Sequence, residues 1–439
     1  MKTDESDGHA TLWYAVTAGV LVTLAAAVRF GHLGATLFED EVWVANLLRD
    51  GDYAPHTYNT PPLFYYLGRI WTKVRGFSDV ALREPAAFFG VALCALPFAA
   101  PRPRLTRILW SLLLAFSSPL LFYSTRLKQY TIEAFVITLL IVVFLHALER
   151  DRARLWIAFF AIAIAAVMLL HSPVFIVAAA GAVAVVKVRR PWIAAGFLAA
   201  GAAFVVAWVA YMAPGPKSVV LHGDMEQWFT ETGRWIDSPA SLLRNSVHWL
   251  GQAFNMTRFW WLVLPVLMLW WIVRKRPWIE LALALLPVLA VVAASMLHRY
   301  PYGEVRLMIF CFPALYLLAA EAIAEASRRV PLVLLVVAPF LFNGVARDTY
   351  NATYMRLDDL RTILDTIAAA HRPGEPVYAD LSHAAPLHYY LPQIRPDLRA
   401  VTVAAPAGAG WYVQHASRFT APQTGLRMRI GDTVAVRVP

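Results

Sequence analysis

Cysteine is nearly absent: the 439 residues include two, Cys94 and Cys311, both inside apolar runs. Neither stands at a spacing that would suit a disulfide framework or a metal site, so both read as small core residues. Charge is scarce as well. Only 15% of residues are charged and 59% are hydrophobic, whereas soluble domains average about 25% charged and roughly 45–50% apolar. No P-loop and no GxGxxG occurs, which leaves ATP-driven transport without support. No His, Asp and Glu set falls at metal-ligand spacing, and no tightly bound metal or cofactor is expected. There is no internal repeat and no low-complexity segment. No cleavable signal is expected either, since the start MKTDESDGH is acidic and no small-residue site follows the first apolar run.

What is abundant is apolar sequence, in blocks of about 16 to 22 residues, the length that crosses a hydrocarbon core about 30 Å thick. The blocks read as spans over 12–37, 84–100, 108–124, 130–148, 155–171, 174–187, 191–213, 259–273, 278–297, 307–326 and 330–346, eleven in all. Pro97, Pro119, Pro265 and Pro313 would kink several of them. The formal net charge of +10 could suggest a nucleic-acid binder, but its placement argues otherwise. Arg102, Arg104 and Arg107, Arg150, Arg152 and Arg154, Lys187, Arg189 and Arg190, Arg274, Lys275 and Arg276, and Arg328 and Arg329 cluster in alternate gaps between the apolar blocks. That is the positive-inside pattern, and it makes those gaps cytoplasmic. The N-terminus is then cytoplasmic, and an odd number of spans leaves the C-terminal segment outside.

The expected fold is therefore mainly α: a polytopic helical bundle over 1–346 and a small extracytoplasmic α/β domain over 347–439. Within the first, the outer loop 38–83 carries helix signals at 41–50 and 61–75, each with an aromatic face suited to the membrane surface. In the tail, VYADL (377–381), RAVTVA (399–404) and RMRIGDTVAVRVP (427–439) read as strands, and LDDLRTILDTIAAAH (357–371) as an amphipathic helix.

Acids at the end of the first span raise the functional question. Asp40 and Glu41 stand at the outer boundary, where a water-soluble molecule can meet a lipid-linked one. A carboxylate there can take the proton from an attacking hydroxyl, worth about 10²–10⁴ in rate. The plainer reading makes Asp40 a helix cap, worth about 1 kcal/mol. Basic residues in two short outer loops tilt the balance: Arg126 and Lys128 beside Tyr130, and Arg299 and Arg306 beside Tyr300 and Tyr302. Cations on the outer face run against the topological bias, and a phosphate held at the interface would explain them. A departing phosphate gains negative charge in the transition state, where such cations act. Ordinary anionic head groups, or ion pairing with Asp40 and Glu41, are the alternative. Tyr58, Tyr65, Tyr130 and Tyr302 suit a sugar or prenyl lining, although interfacial belts are rich in Tyr regardless. Glu133, one turn into a span, reads equally as a functional acid and as a partner of Lys128 or Arg126. Asp50-Gly51-Asp52 reads as a turn, and His171 and His298 as structural residues at span ends.

These residues carry a resemblance. VRFGHLGATLFEDEVWVANLL resembles the end of the first span and the Asp-Glu motif of GT-C glycosyltransferases, in particular the protein O-mannosyltransferase-like and lipid A aminoarabinose transferase-like enzymes of the glycosyltransferase family 39 type. TPPLFYYLGRIW and GFSDVALREPAAFFGVAL resemble their first outer loop and second-span entry. SPLLFYSTRLKQYTIEAF and HRYPYGEVRLMIFCFPALYLLAAEAI resemble later span entries. The resemblance implies a polyprenyl-phosphate sugar as donor, inverting transfer on the outer face of a bacterial inner membrane, and an acceptor glycan, lipid or protein. It matches Asp40 to the catalytic aspartate, Glu41 to its companion, and Lys128 and Arg306 to donor-phosphate contacts. Phe38-Glu39 departs from the usual Trp-x-Asp-Glu run and leaves open whether Glu39 or Asp40 is the better placed acid. A divalent ion bridging acids and phosphate also stays open. Two rivals remain, a lipid-linked sugar flippase or transporter and a glycan ligase or polymerase.

Overall fold

The computed structural model describes residues 4–51, 60–212, 229–254, 263–344, 358–402, 409–415 and 427–438, apart from single positions at 32, 35, 36, 38, 189, 339, 343, 380, 399, 431 and 432. The chain divides into two compact units, one of residues 1–31, 54–67 and 84–349 and the other of 32–53, 68–83 and 350–439. This partition differs from a single cut after 346, because most of the loop 38–83 belongs with the C-terminal segment.

The first unit is helical. Among the described residues six helices are long and apolar enough to cross a membrane: Thr11–Phe30, Asp79–Ala99, Tyr130–Arg150, Pro191–Ala210, Trp278–Met296 and Val305–Ser327. Arg104–Phe116 and Ser118–Ser124 together would make a seventh, but they meet at 60°. The break has a local cause. Ser117 takes an extended conformation, and Pro119 can only open a new helix, not continue the old one. Ala153–Leu169 and Pro173–Lys187 are apolar but only 17 and 15 residues long, about 22–26 Å at 1.5 Å per residue. Among the described residues six of the expected spans meet this length, and the bent pair would make seven. The beginning of the run 259–273 and the end of 330–346 lie outside those residues.

Burial separates core from lipid-facing helices. The Val305–Ser327 span is 89% buried over its apolar window, whereas Thr11–Phe30 is 11% buried. A helix apolar all round belongs at the centre, and the first helix must face lipid. Trp110, Trp156, Phe144, Phe159, Phe310 and Tyr316 fill the core. Polar locks join its helices: Trp110 Nε1 donates to the Pro313 carbonyl at 2.9 Å, and the Tyr316 hydroxyl bonds Ser117 Oγ at 2.7 Å and the Ala253 carbonyl. At the end bearing the basic loops, Arg102 bonds Glu149, Glu280 and Glu321 at 2.6, 2.6 and 2.7 Å. One guanidinium thus ties together three helices distant in sequence.

The second unit contains a five-stranded sheet ordered β2-β1-β3-β5-β4, with β1 Val377–Ala379, β2 Ala400–Thr402, β3 Gly410–His415, β4 Arg427–Ile430 and β5 Thr433–Val438. β1 runs parallel to β2 and β3, while β3, β5 and β4 are antiparallel. Parallel neighbours need a crossover, and the helix Leu381–Ile394 supplies it between β1 and β2. The helix Asp358–Ala370 buries Leu360, Ile363, Leu364 and Ile367, one apolar stripe. The loop helices Glu39–Asp50 and Pro62–Arg75 lie within a residue or two of their expected bounds.

Candidate active site

Asp40 lies in the first turn of Glu39–Asp50, half-buried, and so stands one residue inside the helix rather than as its cap. Exposed backbone N–H groups and the helix dipole favour a carboxylate there. Glu41 has a different environment. Its carboxylate is buried and receives two bonds from the fully buried Arg83, Nε to Oε1 at 2.8 Å and Nη2 to Oε2 at 2.6 Å. Arg83 also donates from Nη1 to the Leu33 carbonyl at 3.0 Å. A bidentate pair of this kind fixes orientation, so Glu41 anchors the helix that presents Asp40.

Tyr390 adds a second anchor within the same unit. Its hydroxyl accepts from the Leu37 amide at 2.7 Å and donates to Asp79 Oδ1 at 3.0 Å. Tyr389 donates to the Phe77 carbonyl at 3.2 Å, and Arg49 lies 5.4 Å over its ring. Burial, and then the charge of Asp79, push both phenols up, Tyr389 to about 12. The outer loop is thereby clamped at both ends of Glu39–Asp50 by one helix of the α/β domain. Gly51 follows with φ +82°, closing the helix in the left-handed region, so the Asp-Gly-Asp stretch begins as a helix end.

The cations belong to the first unit. Arg126 is buried, its Cζ 4.8 Å over the Phe122 ring, and Lys128 is half-buried in the same turn. Tyr130 is buried edge-on against Tyr123 at 4.8 Å. In the other loop Glu304 lies 3.2 Å from Arg234 and 3.5 Å from Arg306, while Arg299 is exposed. The buried Tyr302 hydroxyl bonds Ser246 Oγ at 2.8 Å, so this ring braces the helix Pro239–Ala253. Tyr65 is buried edge-on to Tyr66 at 5.3 Å. Tyr58 lies outside the described residues.

Glu133 has neighbours from two other segments, Ser172 and Tyr300. It accepts a 2.5 Å hydrogen bond from Ser172 Oγ. Burial and then the carboxyl of Glu133 hold the Tyr300 phenol well above its usual range, so Tyr300, Glu133 and Tyr130 are neighbours. Tyr300 in turn donates to the Leu307 carbonyl at 2.9 Å, in the turn that contains Arg306. His298 stacks on Trp235 at 4.9 Å and bonds Asp237 at 3.0 Å, a structural histidine as expected. No group of three or more His, Cys, Asp or Glu among the described residues could hold a metal. Arg83 and Tyr390 are the anchors that sequence reasoning missed. A carboxylate buried at a span end needs a cation from somewhere, and the arginine opening the next span was the available signal.

No family model matches the chain, and no curated protein matches it in sequence. Solved structures do match. ArnT from Cupriavidus metallidurans bound to undecaprenyl phosphate has a TM-score of 0.63 at 15% identity, over 95% of this chain and 97% of that one. The same protein in the apo state has a TM-score of 0.62 at 17% identity, over 98% of both chains. At this identity the likeness speaks for the fold alone: this chain, with its six long apolar helices among the described residues, shares the fold of ArnT.

Proposed function

We propose that the protein is a membrane glycosyltransferase that moves a sugar from a polyprenyl-phosphate carrier to an acceptor hydroxyl on the outer face, with inversion. The observation that carries this reading is the near full-length likeness to ArnT, a protein whose structure holds undecaprenyl phosphate. In this mechanism Asp40 takes the acceptor proton, and the freed oxygen attacks the anomeric carbon. The bond from that carbon to the phosphate oxygen breaks, and its electron pair leaves with the prenyl phosphate. Arg126, Lys128, Arg306 and Arg299 stabilise the charge that develops on the departing group. Glu41 and Arg83 keep Asp40 oriented, and Tyr65 and Tyr130 line the substrate path. The prenyl tail contributes about 0.8 kcal/mol per buried CH₂.

A flippase is the second reading, favoured by the 60° break between Arg104–Phe116 and Ser118–Ser124, since transporters use discontinuous helices. Against it, Ser117 at the break bonds the neutral Tyr316. Proteoliposomes loaded with a labelled lipid-linked sugar and an external acceptor discriminate the two. Transfer predicts a new glycosidic bond and free prenyl phosphate. Label crossing the bilayer with the donor intact supports the flippase and overturns the transferase.

A further inference from the structure

The proposed reaction leaves unused the stretch APRPRLTR, residues 100–107, at the opposite, basic-loop end of the first unit. Prolines 101 and 103 restrict the backbone here, and the arginines between and after them meet the end of Tyr130–Arg150. A cavity of about 450 Å³ is lined there by Arg102, Arg107, His146 and Arg150. Its positive members differ in how far the protein satisfies them. Arg102 is neutralised by its three glutamates. Arg150, exposed at the last position of its helix, has no ion-pair partner among the described residues.

Arg107 and His146 are each held from one side. Arg107 donates from Nη1 to the Phe98 carbonyl at 3.0 Å and lies 4.9 Å over the Tyr14 ring, yet its buried Nε has no partner among the described residues. His146 Nε2 bonds the Ala99 carbonyl at 2.7 Å. A carbonyl only accepts, so that nitrogen carries the proton, and the buried Nδ1 is the atom without a partner. The Tyr14 hydroxyl beside Arg107 is a third such atom. Buried polar atoms left unanswered cost about 1–3 kcal/mol each, and two on residues lining one cationic cavity, Arg107 and His146, point to a ligand that answers them. No side chain caps the start of the helix Arg104–Phe116 either, so its first N–H groups open on the same loop.

We propose that this cavity binds the phosphate of an anionic membrane lipid head group. The residues belong to helix ends, where spans leave the hydrocarbon, and basic pockets between spans on the cytoplasmic side suit such head groups. Arg107 and Arg150 supply charge to the phosphate, while His146 Nδ1 accepts from a hydroxyl of the head group. Through the stacking of Arg107 and Arg104 on Tyr14, at 4.9 and 5.7 Å, the bound lipid fastens the lipid-facing first helix to the bundle. The proposal does not depend on the transferase reading, since none of these residues is assigned to the donor or acceptor.

Native mass spectrometry of the full chain, delipidated in detergent and titrated with phosphatidylglycerol or phosphatidylcholine, tests it. The wild type should retain phosphatidylglycerol selectively and melt at a higher temperature with it. Each juxtamembrane arginine near a charged lipid surface is worth about fivefold in binding, so Arg150→Gln should weaken retention by roughly that factor. Arg107→Gln with Arg150→Gln should weaken it by an order of magnitude or more. Arg150 is exposed, so its variant folds even if the double variant does not. Equal retention of both lipids, or unchanged retention in Arg150→Gln, overturns the proposal. Full stabilisation by millimolar inorganic phosphate alone would assign the cavity to a soluble anion and overturn the lipid assignment.

Discussion

Two adjacent carboxylates at the start of one helix have separate tasks. Glu41 is paired with Arg83, both buried, at 2.6–2.8 Å, while Asp40 is half-buried in the same first turn. Removing one member of a buried pair strands the other charge, at about 3–5 kcal/mol. Arg83→Met should therefore lower the melting temperature sharply, and adding Glu41→Gln should restore much of it; a melting curve of the single variant that matches wild type would contradict the pairing. The sequence alone could mark the acids but not their division, because Arg83 is 42 residues away and nothing local ties it to Glu41. Glu133 was ambiguous for the same reason: its partner, Ser172, comes from a helix junction 39 residues on.

Titration belongs to this scale as well. Burial and then Asp79 raise Tyr389 and Tyr390 above the usual tyrosine range. The sign follows. The unfolded phenols ionise near 10 and the folded ones later, so their contribution is full below about pH 10. It is lost as pH climbs toward about 12, the Tyr389 value. Melting temperature measured from pH 9 to 12 should fall across that window, and Tyr389→Phe should flatten part of the fall.

At the level of elements, both loop helices and strands β1 and β2 were legible from capping residues and alternation, whereas the run 427–439, read as one strand, folds as the antiparallel pair β4 and β5. The helix Leu381–Ile394 was not, because Pro386 and Pro392 lie inside it and argue against a helix. Tertiary need overrides that preference: β1 and β2 are parallel, and something must carry the chain across. β3 was missed because a short GWYVQH run after APAGAG has little periodicity to read. The hidden helix holds the outer loop through Tyr390. Tyr390→Phe removes an acceptor from the Leu37 amide and a donor to Asp79, together about 2–3 kcal/mol. Hydrogen exchange at Leu37 should accelerate by an order of magnitude or more; unchanged protection would contradict the brace. The span over 108–124 shows the opposite limit. Hydropathy sees a continuous apolar run, while a proline after Ser117 turns it by 60°.

For the whole molecule, hydropathy, loop charge and the order of spaced motifs pointed to the GT-C fold, and the near full-length likeness to ArnT agrees with them. Six of the helices among the described residues are long and apolar enough to cross a membrane, and shorter or broken ones read the same in a hydropathy scan. The division into units was the least legible feature. The acid-bearing loop and the C-terminal segment are separated by nearly the entire helical bundle in sequence, yet they fold as one body, so the α/β domain shapes the candidate base as well as the tail.

Turnover of purified Asp40→Asn with a defined polyprenyl-phosphate sugar tests the central claim most directly, with donor affinity measured in parallel. The account predicts a loss of about 10²–10⁴ in rate, with donor affinity and melting temperature unchanged. Wild-type turnover in that variant would contradict it.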